Sequence, residues 1–299
     1  MFINSHSNLS AGDRFWSYQN YLKYYLKFFK IYRRQYRNYV TVITHVLRGK
    51  YPINVSYRDG TRTAFQHYYD VYNDIFGIKS EPVEDLAYVD GYKFYGGKTN
   101  GDISSIFKGG DYSDLPVKDR VVIDLGANIG DSAIYFASRG AKLVLAFEPD
   151  EMCYNLALKN IEANDFGNVI NLVRAGCASN QPDTKNASDV PQLSLDEIIK
   201  KFQIDDAILK MDCEGCEYEV ILNTSREILR RFSHLKLEYH QGYRDLRDKL
   251  RSFGFDVTTT SPRYFRPHLN PNSLNLHFTS GRWKRLSSIY LGWLNASRI

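Results

Sequence analysis

The sequence has few cysteines, no long apolar run and no signal-peptide core. Four cysteines among 299 residues are too few for a disulfide-stapled secreted domain, so no disulfide framework is expected. No stretch approaches the roughly 20 apolar residues of a membrane-spanning helix. The first residues also lack the apolar segment of a signal peptide. Together these absences predict a globular protein of the reducing cytoplasm.

The most informative feature present is an apolar strand that ends at an acid and then turns through spaced glycines. Residues 121–123 are a β-branched run, Asp124 follows, and Gly126 and Gly130 lead into a helix. Gly126 allows the backbone to approach a ligand, and Gly130 allows the new helix to pack close to the strand. Glu148 ends the next strand, where a carboxylate can accept hydrogen bonds from both hydroxyls of a ribose. The pattern predicts a site for a nucleoside-bearing cofactor.

The spacing of the glycines distinguishes two such cofactors. A dinucleotide site has the spacing G-x-G-x-x-G because a pyrophosphate lies on the helix N-terminus, whereas this turn has only Gly126 and Gly130. The carboxylate of Asp124 suits the ammonium group of a methionine moiety and repels a pyrophosphate. The sequence therefore predicts S-adenosylmethionine rather than NAD, and an ordinary strand–turn–helix is the alternative. The predicted cofactor-binding residues are Asp124, Gly126, Ala127, Asn128, Gly130, Asp131, Glu148 and Pro149.

A second group of acids follows a later buried strand, at residues 206–211. Asp212 and Glu214 come after that strand, and Glu238 and His240 lie at the end of the next one. Ligands of doubly wound sheets bind at the carboxyl ends of the strands where the strand order reverses, so these four residues are the predicted catalytic set. Because a histidine titrates near neutral pH, His240 is suited to act as the general base for a hydroxyl acceptor. Alternatively, Asp212 and Glu238 can hold a divalent metal that acidifies the hydroxyl. A solvated acid cluster with a packed histidine is the alternative.

Two cysteines lie within this second group. Cys213 and Cys216 have the spacing C-x-x-C, which also occurs in zinc and redox sites. We interpret them as small side chains that fill apolar positions between the acids.

Strands and helices alternate regularly from residue 119 onward. Strands are predicted at 121–125, 142–147, 169–174, 206–211, 234–239 and 256–260, with 273–279 as a candidate seventh, and helices near 131–139, 151–163, 194–202, 217–231 and 243–253. This alternation predicts an α/β fold with a mostly parallel seven-stranded sheet and helices on both faces. The predicted organisation is a helical extension (1–50), a small strand and loop cap (51–118), the main domain (119–281) and a basic, aromatic tail (282–299).

The N-terminal extension combines aromatic and basic side chains at helical spacing. Residues 15–39 include eleven aromatic residues, and residues 1–50 hold nine Lys and Arg against one acid. The aromatic and basic sets are offset by two positions, which places them on opposite faces of a helix. A helix docked on the body with a solvated basic back is the first interpretation. An anionic membrane surface bound through residues 15–39 is the second, and nucleic-acid or acidic-glycan contact is the third.

Taken in order, the motifs resemble those of FkbM-type methyltransferases, a branch of the S-adenosylmethionine-dependent Rossmann-like enzymes. The resemblance covers residues 119–255 and rests on segments 122–131, 147–149, 193–197, 210–219 and 238–240. It implies a Rossmann-like class I methyltransferase fold and cofactor contacts from the glycine turn and Glu148. It also implies activity that depends on residues 212–217. Relatives commonly O-methylate sugars or secondary metabolites, which implies a hydroxyl acceptor, but they usually have an aliphatic and a small residue at positions 213 and 216.

The sequence therefore predicts an S-adenosylmethionine-dependent methyltransferase that O-methylates a hydroxyl of a sugar, glycan or related metabolite. One alternative is an RNA methyltransferase that uses the basic extension. The Asn/Asp-Pro-Pro-aromatic run used on exocyclic base amines is missing, and residues 270–272 do not supply it. The other alternative is a non-catalytic binding protein of the same fold, against which the retained acids at 124, 148, 212 and 238 argue. The expected partner is a small-molecule or glycan acceptor.

Overall fold

The computed structural model describes residues 9–81, 85–98, 100–179, 190–265 and 289–299. The helices are α1 (Ala11–Gln35), α2 (Tyr39–Arg48), α3 (Tyr68–Phe76), α4 (Asp102–Ser104), α5 (Asp131–Ser138), α6 (Glu151–Ala163), α7 (Leu195–Phe202), α8 (Cys216–Asn223), α9 (Arg226–Leu229) and α10 (Arg244–Ser252), with a π-helical turn at Ser105–Gly109. The strands are β1 (Ile53–Ser56), β2 (Arg62–Phe65), β3 (Lys79–Glu81), β4 (Leu86–Val89), β5 (Tyr92–Tyr95), β6 (Val121–Leu125), β7 (Leu143–Phe147), β8 (Ile170–Val173), β9 (Gly176–Cys177), β10 (Gln192–Leu193), β11 (Ala207–Met211), β12 (Phe232–Tyr239), β13 (Phe255–Thr259), β14 (Arg263–Phe265) and β15 (Ile289–Arg298).

The central sheet has the strand order β13–β15–β12–β11–β6–β7–β8, and β14 pairs with the outer part of β15. Strands β6, β7, β8, β11 and β12 pair in parallel, whereas β15 is antiparallel to both β12 and β13. The strand order reverses between β6 and β11, because β6 continues to β7 on one side and β11 to β12 on the other. The predicted fold class, a mostly parallel seven-stranded sheet with helices on both faces, is confirmed.

Strand β15 corrects the predicted domain boundary at residue 281 and the predicted tail at 282–299. Its Leu294 and Ala296 are buried in the sheet core, and it lies between β12 and β13 rather than on the surface. The basic and aromatic residues of this region outweighed its period-two pattern in the sequence, so the strand was missed. The candidate strand at 273–279 lies outside the described residues. The predicted helix at 217–231 is two helices, because Ser225 caps the second by accepting a hydrogen bond from the Ile228 N–H.

The two faces of the sheet bury different partners, as period-two strands require. Odd-numbered side chains such as Ile123 and Leu209 join a core with α7, α8 and α10. Even-numbered side chains such as Val122 and Ile208 join a second core with α5, α6 and much of the segment 78–117. The candidate site lies on this second, even-numbered face.

The N-terminal segment forms a third core. Tyr32 and Tyr36 of α1 pack with Val42, Ile53 and residues of α3, and the Tyr36 hydroxyl donates to Asp74 at 2.5 Å. Part of the predicted aromatic face is therefore docked on α2, β1 and α3. The segment predicted as one cap divides between two cores: residues 53–71 contribute to the third core, and β4 and β5 contribute to the second. Within the described ranges, none of the helices combines the length and apolar character of a membrane span.

Candidate active site

Parallel pairing of β6 and β11 places Asp124 directly opposite Lys210 on the same face of the sheet. The two form an ion pair of 2.8 Å and both are almost completely buried. Ser132 Oγ donates to Asp124 at 2.6 Å, and Lys210 Nζ donates to the Gly126 carbonyl at 2.6 Å. The predicted role of Asp124 as a direct cofactor ligand stays a prediction, and its carboxylate is enclosed beneath the turn by Lys210 and Ser132. It braces the turn from below.

The two glycines of the turn are required by close packing. Gly126 (φ +80°) lies against the end of β11, and a Cβ there would overlap the carbonyl oxygen of Asp212. Gly130 (φ +85°) lies against α6, where a Cβ would come within 3.3 Å of Ala157. The close approach predicted for Gly126 is therefore to the neighbouring strand end, and that of Gly130 is to α6 rather than to its own strand. These contacts join the cofactor turn to the segment that carries Asp212.

Glu148, at the end of β7, holds the other side of the turn. Its Oε2 accepts from the Asn128 N–H at 2.8 Å, and its Oε1 accepts from the Asp150 N–H at 2.9 Å. Burial raises the pKa of Glu148 to about 7, while the two backbone bonds act in the opposite direction. Each carboxylate oxygen keeps acceptor capacity for a further donor. The N–H groups of Gly126 and Ala127 both donate to the Phe147 carbonyl at 3.0 Å, so neither is available to a ligand.

Asp131, the first residue of α5, is the strongest sign of a cationic ligand at this turn. It is 2% exposed; its Oδ1 accepts from the Ser132 N–H, and its Oδ2 has no hydrogen-bond partner. Burial, and then the nearby Asp102, raise its pKa to about 8. A buried carboxyl group with an open acceptor, next to further acids, fits the ammonium and sulfonium charges of S-adenosylmethionine.

The predicted catalytic residues come together around His240. Its Nε2 lies 3.4 Å from Glu214 Oε2, 3.4 Å from Glu238 Oε2 and 4.0 Å from Asp212 Oδ1. On the other side of the ring, Nδ1 lies 3.6 Å from Oε1 of the fully buried Glu217. The imidazole is therefore placed between carboxylates on both sides. One ligand atom each from Asp212, Glu238 and His240 lies within 4.8 Å of the others, which is compact enough for a divalent metal.

The charge states of this cluster differ from the expectation that His240 titrates near neutral pH. Burial alone lowers the pKa of His240, but Glu214 and Glu217 outweigh it and raise the pKa well above its usual value. The surrounding carboxylates therefore favour the protonated form of the ring. Burial raises the pKa of Glu214 to about 7, with His240 acting in the opposite direction. The side chain of Glu214 is 45% accessible, the largest exposed fraction among the four predicted catalytic residues.

Sequence reasoning missed four residues that complete the site. Lys210 and Glu217 both lie inside the recognised segment 210–219, and the alternation of side chains along β11 could have placed Lys210 on the same face as Asp124. Asp102 accepts from Asn128 Nδ2 at 3.2 Å, and the ring of Tyr112 is centred 5.9 Å from Lys210 Nζ. Both come from the segment before β6, and only the fold brings them to the sheet.

Cys213 and Cys216 are joined by a disulfide, with their Cα atoms 5.5 Å apart. This corrects two expectations: that the chain forms no disulfide, and that these cysteines serve only as small apolar side chains. They do pack against the core beside α8, but their sulfurs are bonded to each other. Cys153 and Cys177 are free thiols.

Residues 124–257 match the family of the methyltransferase FkbM domain. This segment of the chain is similar to FkbM-type methyltransferase domains. The match begins at Asp124 and includes the end of β6, the glycine turn, β11 and the acid cluster, which are parts of the site described above. The predicted family resemblance is confirmed.

Curated relatives align with this chain over only part of their own length. An uncharacterised protein 158B of Sulfolobus islandicus rod-shaped virus 1 is 33% identical over 36% of this chain and 54% of its own. Protein arginine N-methyltransferase 1 of Oryza sativa subsp. indica is 28% identical over 38% of this chain and 25% of its own. The chain thus spans from about a quarter to about half of the length of these relatives.

Solved structures are similar to part of this chain at low sequence identity. The METTL16 MTase domain is 18% identical with a TM-score of 0.44, covering 84% of this chain and 90% of that chain. Magnesium protoporphyrin IX methyltransferase of Synechocystis is 17% identical with a TM-score of 0.35, covering 66% of this chain and 78% of that chain. Their substrates carry no information about the acceptor of this protein.

Proposed function

We propose that the protein transfers a methyl group from S-adenosylmethionine to a hydroxyl of a sugar, glycan or related metabolite. The observation that carries this proposal is the contact between the cofactor turn and the segment that carries Asp212. The Gly126 turn packs on the Asp212 carbonyl so closely that no side chain fits between them. The cofactor turn and the acid cluster therefore meet at the adjacent carboxyl ends of β6 and β11, where ligands of doubly wound sheets bind.

The residues of the turn suit the cofactor at two points. Glu148 would accept from the ribose hydroxyls, and Asp131 would face the positive charge of the methionine end. Bound there, S-adenosylmethionine supplies an electrophilic methyl group on a positively charged sulfur. Carboxylates of the site would compensate this positive charge. The cation of Lys210 is already paired with Asp124. Asn128, Pro149 and the turn backbone set the shape of the nucleoside side.

The acid cluster supplies the proton acceptor that a hydroxyl nucleophile needs. Methyl transfer is an in-line displacement, so the protein chiefly aligns the acceptor oxygen and removes its proton. Glu214 is the most accessible of the four predicted catalytic residues, and its pKa of about 7 matches a base working near neutral pH. We assign it as the general base. His240, already protonated, holds Glu214 by charge, while Asp212 and Glu238 position the acceptor hydroxyl.

A divalent metal is a second way to acidify the hydroxyl at the same place. Asp212, Glu238 and His240 would hold it, since their ligand atoms converge. On this route His240 would lose its Nε2 proton when the metal binds, and Glu217 behind the ring would orient His240 as a carboxylate partner commonly does in metal sites. The metal would act as a Lewis acid on the acceptor oxygen. Loss of turnover after chelation, restored by Mg²⁺ or Mn²⁺ alone, supports this route. Unchanged turnover in chelator rejects it.

The exposed part of α1 supports an anionic membrane surface as a partner. Phe15, Trp16, Leu26 and Phe29 are each more than 40% exposed, although Tyr32 and Tyr36 of the same helix are buried. The exposed aromatic and basic side chains together suit the boundary between lipid head groups and acyl chains. Flotation with vesicles of phosphatidylcholine and phosphatidylserine tests this contact. Replacement of Phe15 and Trp16 by Ser should abolish co-flotation, whereas equal flotation of the variant would remove the membrane from the proposal.

Calorimetry with S-adenosylmethionine and its demethylated product is the decisive test of the cofactor. Binding of both at micromolar affinity is expected, and absence of binding would overturn the proposed function. Tritiated S-adenosylmethionine with a panel of mono- and oligosaccharides, and with RNA as the competing acceptor, then identifies the substrate class. Methylation of RNA alone would replace the hydroxyl metabolite by nucleic acid.

A further inference from the structure

The Cys213–Cys216 disulfide lies within the acid cluster, between the end of β11 and the start of α8. Both cysteines are partly exposed, so a small reductant or oxidant reaches them. We propose that this disulfide is a reversible modification site whose reduction releases Glu214 from its place beside His240. The consequence for catalysis rests on the proposed function, in which Glu214 is the base.

The bond closes a small ring that contains Glu214 and Gly215. Glu214 has φ +58° and Gly215 has φ +114°, so both lie in the left-handed region. A residue with a Cβ occupies this region at a cost and stays there when its surroundings impose it. In this ring the cross-link between the flanking residues imposes it. The same conformation brings Glu214 Oε2 to 3.4 Å from His240 Nε2.

The neighbouring residues are held by bonds that do not depend on the disulfide. The Asp212 N–H donates to the Leu125 carbonyl at 3.0 Å, which ties it to β6. The Cys213 N–H donates to Glu217 Oε1 at 3.0 Å. Opening the disulfide therefore frees the backbone at Glu214 while Asp212 and the cofactor turn keep their positions. We expect turnover to change and cofactor affinity to stay the same.

The reaction is an ordinary thiol–disulfide exchange with a dithiol reductant. A thiolate of the reductant attacks one of the two sulfurs, the Cys213–Cys216 bond breaks, and a mixed disulfide forms. The second thiol of the reductant then displaces the cysteine. The protein gains two electrons and two protons, and the reductant leaves as its own disulfide.

Thiol counting tests the bond itself. Burial, then Glu148, raises the pKa of Cys153 to about 12, and burial, then Glu219, raises the pKa of Cys177 to about 12. These two thiols are therefore slow to alkylate in the native protein. Dithiothreitol should add two fast-reacting thiols, mapped by mass spectrometry to Cys213 and Cys216, and glutathione disulfide should remove them. The Cys153→Ser/Cys177→Ser variant should behave in the same way. Two fast thiols that glutathione disulfide does not close would overturn the proposal.

Amide exchange and the His240 ring signal test the consequence in the wild-type protein, without any variant that has to fold. Reduction should accelerate exchange in residues 213–216 at least tenfold and shift the imidazole signal of His240. The affinity for S-adenosylhomocysteine, measured by calorimetry, should remain within twofold. Cys213→Ser/Cys216→Ser should show the reduced pattern in either buffer. Equal exchange and an unmoved ring signal in the two redox states would reject the inference, whereas failure to bind S-adenosylhomocysteine in both states would reject the proposed function instead.

Discussion

The buried pair of Asp124 and Lys210 gives the sharpest test of how the cofactor turn is held. Lys210→Met keeps much of the side-chain length and removes the ammonium group. Asp124 is then left without its cation in a place where it is 0% exposed. Ser132 still donates to it, but one hydrogen bond does not replace the ion pair. The Gly126 carbonyl also loses the donor that lies 2.6 Å away.

The expected loss of stability in Lys210→Met is set by the burial of the two charges rather than by the distance between them. Removing one partner of a buried ion pair costs about 3–5 kcal/mol, because the remaining charge stays desolvated. In a chain of this size each kcal/mol lowers Tm by roughly 2 °C, so Lys210→Met should lower Tm on the order of 10 °C. Lys200→Met is the matched control: Lys200 pairs with Asp196, but its side chain is 74% exposed. Removing such a surface pair should change stability by less than about 1 kcal/mol.

Thermal unfolding of the wild type, the two single variants and the double variant measures the coupling between Asp124 and Lys210. Asp124→Asn alone should also destabilise, because it leaves Lys210 charged and buried. The double variant Asp124→Asn/Lys210→Met should be more stable than the sum of the two single losses predicts, by at least about 1 kcal/mol. A Lys210→Met variant as stable as the Lys200→Met control would refute the claim that this ion pair stabilises the glycine turn. Additive single losses would refute the coupling.

Three further predictions concern the site. Glu148→Gln should weaken S-adenosylmethionine binding at least tenfold in calorimetry, while Glu151→Gln, exposed on α6, should not change it; equal affinities would remove Glu148 from the site. Asp212→Asn should abolish methyl transfer while retaining the circular dichroism spectrum and cofactor binding. Full turnover in this variant would reject the assignment of the acid cluster as the catalytic site. Between pH 5.5 and 8.5, Tm of the ligand-free protein should fall, because Asp131 and Glu148, with pKa values raised to about 8 and about 7, keep protons in the folded state that the unfolded chain has already released. Over the same interval the stabilisation by S-adenosylmethionine should grow, since the ionised acids pair with its positive charge, and a flat profile for both would contradict the charge assignment.

Much of the architecture could be predicted because its signals are local. The apolar run at residues 121–123, the acid and the two glycines together specify a strand, a tight turn and a helix, and each belongs to a few consecutive residues. The hairpins at Asp59-Gly60 and Asp90-Gly91 were predictable for the same reason, and both are present. Strand β15 was not, because its place between β12 and β13 depends on pairing with segments well before it in the chain.

Features of the site likewise divide into those set by local sequence and those set by tertiary contacts. The sequence by itself determined that acids lie at or just after the carboxyl ends of β6, β7, β11 and β12, and that parallel strands bring these ends to one edge of the sheet. Only the tertiary structure decided which acid is free: Asp124 is enclosed by Lys210, a residue 86 positions away, whereas Asp131 keeps an open acceptor.

Charge states and the disulfide were also decided by the fold. His240 was expected to titrate near neutral pH, but Glu214 of the β11–α8 connection and Glu217 of α8 lie on opposite sides of the ring and raise its pKa. Local patterns fix backbone conformation, because turns, caps and side-chain alternation act over a few residues. Burial, ion pairing and the bond between Cys213 and Cys216 depend on where the folded backbone places each group relative to the others, and the sequence alone does not contain those distances.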